Sequence, residues 1–428
     1  MIPRKSICIP ATPPADIADF LPIMEHPHFQ RLRERKQLGI NYLVFPGAVH
    51  TRFEHAIGVL ALTQRLCQIQ RFPEEEARLL QAFALLHDIG HGPFSHQIEP
   101  VLQGDHHLEG LKRLQDMDDA ITACGISCLK LQRMLKGELP LANWISDRNL
   151  GTDKLDYLMR DALHIGFHGT PDIEKIQFYT VFMDGGLAIE QKFIEDAKQL
   201  QKFYSYLHQH GYLNKTALAA QRMLQRAVQQ ELETEDNAGD ALWDMTDNQL
   251  EAWLAAVRHP VAKKLAGDLS NRRLHKTFLA LKPTGYSYVE RQADKPIAIH
   301  EWPLANLRAF SEFAQDPRNL IALEDEIAAS CGCAAGDVLF AAMPYFKKLV
   351  PKDLRVFSYS RQQHDFWLLE NDKDHRKSLE SDYLRTFAIR LVAPSELRER
   401  LSQQSNRIES IILDAINASQ PSTTKDAP

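Results

Sequence analysis

The sequence predicts a mainly α-helical protein, a helical core followed by a smaller α+β region. Three observations predict it. Apolar residues recur at helical spacing through most of the first 260 residues. Proline, acidic residues and glycine stand where helices start and stop. After about residue 260 the texture changes and strand-like segments enter.

Residues 52–71 place Val59, Leu62 and Leu66 at helical spacing, with His55 on the same stripe. The next helix starts at Pro73. Glu74, Glu75 and Glu76 fill its first turn, where the helix dipole favours anions. Its apolar body runs through Leu79, Leu80, Phe83 and Leu86, with a stop near Gly90. Residues 153–164 form a third helix, followed by Gly166. Residues 198–232 form a long helical region broken at Gly211. Pro296-Ile-Ala-Ile-His300 and Arg355-Val-Phe-Ser-Tyr359 read as strands, with a helix over 320–330 between them. The expected division is a helical domain over 1–260, an α+β region over 261–418 and a polar, disordered tail over 419–428. No internal repeat is visible.

Composition narrows the function class. The chain has 428 residues, 44% hydrophobic and 25% charged, enough for a large core or for two domains. A net charge of -6 argues against a dedicated nucleic-acid binder, while a local basic site for phosphates stays open. The opening Met-Ile-Pro-Arg-Lys-Ser carries no signal-peptide stretch. No run reaches the roughly 18 apolar residues of a membrane span. Six cysteines in so long a chain are not a disulfide framework, and Cys331-Gly-Cys333 reads as incidental thiols. A soluble, cytoplasmic protein is expected.

Chemistry concentrates in His50-Thr-Arg-Phe-Glu-His55 and His87-Asp88-Ile-Gly-His91-Gly-Pro-Phe-Ser-His96. One histidine on an apolar helix face is usually a hydrogen-bonded core residue. His87-Asp88 at the end of an apolar helix says more, because a charged aspartate is costly to bury unless paired or metal-bound. His364-Asp365 lies in a polar context without a matching helix and reads as coincidence. On the third helix, Asp153, Tyr157 and Asp161 are spaced i, i+4, i+8 and share one face, with Lys154 beside it. Such a stripe suits a nucleotide; spacing alone leaves a solvated helix face open as well. Imidazole nitrogen plus carboxylate oxygen is a ligand set for a divalent first-row metal. A metal so held turns water into a nucleophile near neutral pH. The residues therefore read as a metal-dependent hydrolase.

Longer strings carry a family resemblance. Glu25-His-Pro-His-Phe-Gln-Arg-Leu-Arg33, Lys36-Gln-Leu-Gly39, Phe45-Pro-Gly-Ala-Val-His-Thr-Arg-Phe-Glu-His55, Leu86-His-Asp-Ile-Gly-His-Gly-Pro-Phe-Ser-His96 and Asp153-Lys-Leu-Asp-Tyr-Leu-Met-Arg-Asp161 stand in family order. They resemble the HD-domain phosphohydrolases, and more narrowly the deoxynucleoside triphosphate triphosphohydrolases. That group includes bacterial dGTPases and the vertebrate SAM-and-HD-domain enzyme. The resemblance covers residues 20–170, with a weaker echo from Tyr212 to Leu224.

The resemblance implies His55, His87, Asp88 and Asp153 as ligands of one divalent transition metal. Mn, Fe, Zn, Ni and Co are not distinguished, and Mg can accompany the phosphates. It implies His96 as general acid for the leaving 5′-oxygen, Glu99 as the group that orients it, and His91 and His107 as further active-site histidines. Arg52 and Lys154 match phosphate contacts. Gln37, Tyr157 and Asp161 match the positions that hold the sugar, Leu38 is a further substrate-binding position, and Tyr212 matches an aromatic of the nucleoside pocket. Glu25, Gln30, Arg33 and Lys215 match positions for an activating nucleotide in the regulated branch. A homo-oligomer is expected on the same ground.

Three positions depart from the family. His106-His107-Leu108-Glu109 stands where a His-Glu pair is frequent, and the best match keeps His107 and loses the acid beside it. Tyr204 occupies the place of an arginine in the vertebrate branch, and Asn214 that of a histidine. The expected reaction is hydrolysis of a deoxynucleoside triphosphate to deoxynucleoside and inorganic triphosphate. Two alternatives stand beside it: an HD phosphohydrolase acting on another nucleotide or a nucleic-acid end, and a nucleotide-sensing HD protein without turnover. The presence of all four ligands and His96 argues against the last.

Overall fold

The computed structural model describes residues 5–233, 238–290, 295–341, 351–359 and 364–419. Its main helices, in chain order, are α1 (Arg52–Gln70), α2 (Glu74–Leu86), α3 (His106–Asp116), α4 (Thr152–Ile165), α5 (Ile194–Leu207), α6 (Lys215–Leu232), α7 (Pro317–Ser330) and α8 (Ser405–Ser419). The strands of its two larger sheets are β1 (Thr180–Met183), β2 (Gly186–Glu190), β3 (Lys276–Pro283), β4 (Ala298–Trp302), β5 (Leu339–Ala341), β6 (Arg355–Ser358), β7 (His364–Trp367) and β8 (Ile389–Ala393). The fold is mainly α, as expected.

The chain forms two compact units, interleaved in sequence. Of the described residues, the first unit takes those within 1–212, 236–252 and 350–379, and the second takes the rest. Packing thus divides the chain at several points, where the change of texture suggested one boundary near residue 260. Local texture reports propensity; packing units are set by contacts far apart in sequence.

In the first unit α1 is central. Val59, Leu62 and Leu66 of its apolar stripe are buried, and so are Ala56, Ile57, Leu60 and Ala61, so burial extends around most of the helix. Thr51 caps it, its hydroxyl accepting from Glu54 N at 3.3 Å. Arg71, in the left-handed region at φ 56°, ends it. The α2 helix closes at Leu86, before Gly90, so His87 and Asp88 stand on the turn that leaves it. Gly166, at φ 78°, ends α4. Strands β1 and β2 form a hairpin; β2 pairs parallel with β6, and β6 antiparallel with β7. The His364-Asp365 pair lies on β7.

The expected break of the long helical region at Gly211 is a π-helical turn over His208–Tyr212. Asn214 then caps α6 in the second unit, its side-chain oxygen accepting from Thr216 N at 2.9 Å. The second sheet runs β4-β3-β8-β5, with β3 and β4 parallel and β8 antiparallel to both its neighbours. Its core gathers Phe278, Leu281, Phe310, Phe340 and Ile389 with Ile408 and Ile412 of α8. Ser419, first residue of the expected tail, closes α8; residues 420–428 lie outside the described residues. No helix among the described residues is long and apolar enough to cross a membrane.

Candidate metal centre and active site

Four side chains converge in the first unit from two helices and one turn. His55 projects from α1, His87 and Asp88 from the turn after α2, and Asp153 from the first turn of α4. His55 Nε2 lies 3.1 Å from Asp153 Oδ1 and 3.6 Å from Asp88 Oδ2. His87 Nε2 lies 3.6 Å from the same two carboxylates. Its Nδ1 meets Ala84 O at 2.9 Å, which fixes the ring with Nε2 turned inward. That Nε2 is buried and has no hydrogen-bond partner. A buried polar nitrogen without a partner is costly. Facing two carboxylates beside a second imidazole, it fits a metal ion. The structure thus brings all four expected ligands together.

The electrostatics favour a cation here. Burial works against charge on His55, but the carboxylates of Asp153 and Asp156 outweigh it and push its pKa up to about 10. Burial would also raise Asp153, yet His55 and His87 hold it below the usual carboxylate range.

A group missing from the expected set supports the centre from behind. Asp156 Oδ2 takes His55 Nδ1 at 2.8 Å, and Asp156 is bound in turn by Arg160 Nε at 2.9 Å and Nη2 at 2.7 Å. Arg160 Nη1 reaches Glu54 Oε1 at 2.8 Å. This chain fixes the tautomer and orientation of His55, as carboxylates behind ligating histidines do. It also explains Gly58: a Cβ there would lie 2.1 Å from both Arg160 Nη2 and Asp156 Oδ1. The signal was in the string Asp153-Lys-Leu-Asp156. Because Asp156 stands at i+3, it lies beside the stripe of Asp153, Tyr157 and Asp161 and turns toward α1.

A second group of imidazoles adjoins the first. His91 Nε2 lies 3.2 Å from Asp88 Oδ1, and Arg52 binds Asp88 Oδ2 while its Nε donates to Ser95 Oγ at 2.8 Å. His96 Nδ1 lies 2.9 Å from Glu99 Oε2, the expected orienting contact. The other oxygen, Oε1, takes His106 Nδ1 at 2.7 Å and the His106 backbone N–H at 3.0 Å. Burial would raise Glu99, but hydrogen bonds from His106 and His96 hold it far below the usual carboxylate range. Glu99 thus binds His106, the neighbour of the expected His107. Asp105 caps α3, so His106 opens the helix with its ring stacked on His91 at 4.2 Å, and His107, one residue on, is exposed.

Toward the C-terminal end of α4, His50 Nε2 lies 2.8 Å from Asp161 Oδ1, and Tyr212 donates its hydroxyl to Asp161 Oδ2. His50 was not among the expected site residues. Tyr157 is partly buried on the same face of α4. Gln37 carries a buried side-chain oxygen without a partner, and Leu38 is buried. Lys154 sits with Nζ 3.4 Å from the Tyr204 ring centroid, so the tyrosine that replaces an arginine holds the neighbouring cation through its π face. Burial pushes the Lys154 ammonium down to about 7.

Of the four expected regulatory residues, Gln30 and Arg33 meet: Arg33 Nε donates to Gln30 Oε1 at 2.8 Å and its guanidinium covers the Phe53 ring at 3.6 Å. Glu25 is exposed at the end of the short helix Leu21–Glu25. Lys215 belongs to the second unit, where burial lowers its ammonium and Glu290 opposes the shift.

This arrangement, two imidazoles and two carboxylates on a helical frame, defines an HD site. Residues 52–158 match the HD domain and residues 172–298 the HD-associated region. An uncharacterized protein of Methanocaldococcus jannaschii is 26% identical over 408 residues, 92% of this chain and 80% of that one. The Homo sapiens deoxynucleoside triphosphate triphosphohydrolase SAMHD1 is 27% identical over 338 residues, 63% of this chain and 54% of the human one. Bacillus subtilis YwfO is 30% identical over 229 residues, 47% and 50% of the two chains. The chain spans about half the length of these last two relatives. The crystal structure of a phosphohydrolase from Bacteroides thetaiotaomicron shares the fold, with a TM-score of 0.67 over 91% of this chain and 100% of the other at 22% identity. The chain carries an HD domain followed by an HD-associated region and is, by class, a metal-dependent phosphohydrolase.

Proposed function

We propose that the protein hydrolyses deoxynucleoside triphosphates to deoxynucleoside and inorganic triphosphate. One observation carries the reading: His55, His87 and Asp153 form a group able to hold a metal, Asp88 Oδ2 lies 3.6 Å from both imidazoles, and this centre adjoins a His-Glu pair on one side and an Asp161–Tyr212–His50 cluster on the other. His55, His87, Asp88 and Asp153 would hold a divalent ion. Such an ion supplies Lewis-acid polarisation of a phosphoryl oxygen and an acidified water.

The chain's own residues do the rest. Arg52 and Lys154 neutralise the phosphates beyond the attacked one. Arg52 is already oriented by Ser95 and Asp88, so little freedom is lost when substrate binds. His96, held by Glu99, gives a proton to the departing 5′-oxygen. Asp161 accepts the 3′-hydroxyl, and Tyr157 closes against the sugar. The name of the human relative supports a deoxynucleoside triphosphate as substrate. A cytoplasmic homo-oligomer, with a regulatory nucleotide engaging Glu25, Gln30 and Arg33, belongs to the same proposal. Incubation of the metal-loaded protein with each deoxynucleotide, followed by chromatography of the products, tests it.

A further inference from the structure

Outside the ligand-bearing stretches, residues 238–252 return to the first unit against the loops of the active site. Trp243 Nε1 donates to Gln103 O at 2.8 Å, and Arg35 and Arg113 both donate to Trp243 O. Four residues on, Asp247 makes an unusual pair of contacts. Its Oδ1 accepts the Phe94 backbone N–H at 2.7 Å, and its Oδ2 accepts the Lys36 backbone N–H at 2.9 Å. Lys36 Nζ stands 3.5 Å from Oδ2. The carboxylate is 1% exposed.

Asp247 is not spent on capping its own helix. Thr246 does that, with Gln249 N donating to Thr246 Oγ1 at 3.3 Å and Thr246 N donating to Gln249 Oε1 at 2.8 Å, a reciprocal capping box. The two loops that Asp247 joins carry the reacting groups. Lys36 precedes Gln37 and Leu38, and Phe94 precedes Ser95 and His96. Phe94 and Ser95 are both left-handed, at φ 52° and 54°. Two such residues in succession, neither of them glycine, persist only where the surroundings hold them. Ser95 Oγ donates to Lys36 O at 3.0 Å, a second tie between the same loops.

We propose that Asp247 is a positioning residue for the hydrolysis: its buried carboxylate holds the His96 loop and the Gln37 loop in fixed relation, so that the acid and the sugar contacts meet one substrate. This rests on the functional reading above. Asp247 touches neither substrate nor metal, and acts through the backbones of Phe94 and Lys36.

The test uses the full-length, metal-loaded protein. Asp247→Asn keeps the shape but turns one acceptor into a donor facing an N–H. Hydrogen exchange should quicken at the Phe94 and Lys36 amides while α1 amides keep wild-type protection. Metal content should stay at the wild-type level and kcat should fall about 10²-fold, the scale of a misplaced catalytic group. In a His96→Ala background the same substitution should cost less than about twofold, because the acid it positions is gone. Asp247→Glu, which keeps both acceptors, should recover part of the rate. Thr246→Ala, which weakens the same helix, should lower stability without reproducing the kcat loss. Unchanged protection at Phe94, an equal loss in both backgrounds, or the same kcat loss in Thr246→Ala would overturn the proposal. A wild-type protein that turns over no nucleotide would overturn the functional reading instead, and the exchange measurement would still decide whether the tie exists.

Discussion

His55 Nδ1 lies 2.8 Å from Asp156 Oδ2, on the side of the ring opposite Asp153. Asp156 therefore sets which nitrogen His55 offers forward. Asp156→Asn should weaken divalent-metal affinity about 10–100-fold, the cost of losing a carboxylate behind a ligating histidine. The asparagine variant is the right test, because Asp156→Ala would strand buried Arg160 and destabilise the fold by about 3–5 kcal/mol. Metal titration followed by calorimetry reads the effect; wild-type affinity in the variant would remove Asp156 from the centre.

Removing a ligand should act more strongly. Asp88→Ala is expected to lose most of the bound metal on elemental analysis, and to lose with it the thermal stabilisation that added metal gives the wild type. Full occupancy in that variant would strike Asp88 from the quartet.

His96→Ala should keep its metal and lose turnover by about 10²–10⁴-fold, the usual contribution of a positioned general acid. A rate near wild type would leave His96 a surface histidine bound to Glu99.

Tyr157→Ala should narrow the preference for deoxyribonucleotides over ribonucleotides. Tyr157 shares its helix face with Asp161, whose two oxygens each bind one protein partner, His50 and Tyr212, and keep a lone pair for the substrate. A ribonucleotide would have to disturb that cluster or leave polar groups unpaired. Steady-state comparison of dGTP with GTP decides it, and equal kcat/KM for the two in the wild type would defeat the sugar gate.

The helical frame and the residues that converge as candidate metal ligands were legible because their signals are local. Pro73 and Gly166 punctuate helices by backbone chemistry that one turn of sequence displays. His87-Asp88 and Asp153 stand in strings that name their family. What stayed hidden depends on contacts across the chain. The contact of His106 with Glu99 is one example: Asp105 sets where α3 begins, and Glu99 reaches the first residue of that helix. Asp156 and Asp247 look like ordinary acidic residues until a partner far along the chain appears. The interleaving of the two units was unreadable for the same reason.

In the second unit, pH should report a buried histidine. His275 is buried with neither ring nitrogen partnered. Burial, helped by Lys264 and opposed by Asp268 and Asp337, pushes its pKa down to about 4. Between the ordinary histidine value and pH 4 the unfolded chain binds a proton that the folded chain refuses, so stability falls as pH falls through that window. The loss should reach about 3 kcal/mol near pH 4. His275→Leu removes this slope, so its advantage over wild type in urea unfolding should widen from pH 7 to pH 4.5. A constant gap would show that His275 does not titrate on unfolding.

The central claim is cleavage at the α-phosphorus by a metal-dependent HD site. The most direct measurement is phosphorus NMR of the products formed when metal-loaded protein is incubated with each deoxynucleoside triphosphate in turn. Inorganic triphosphate appearing in step with free deoxynucleoside is the predicted result. Orthophosphate released with a deoxynucleoside diphosphate would place attack at the γ-phosphorus and contradict the account.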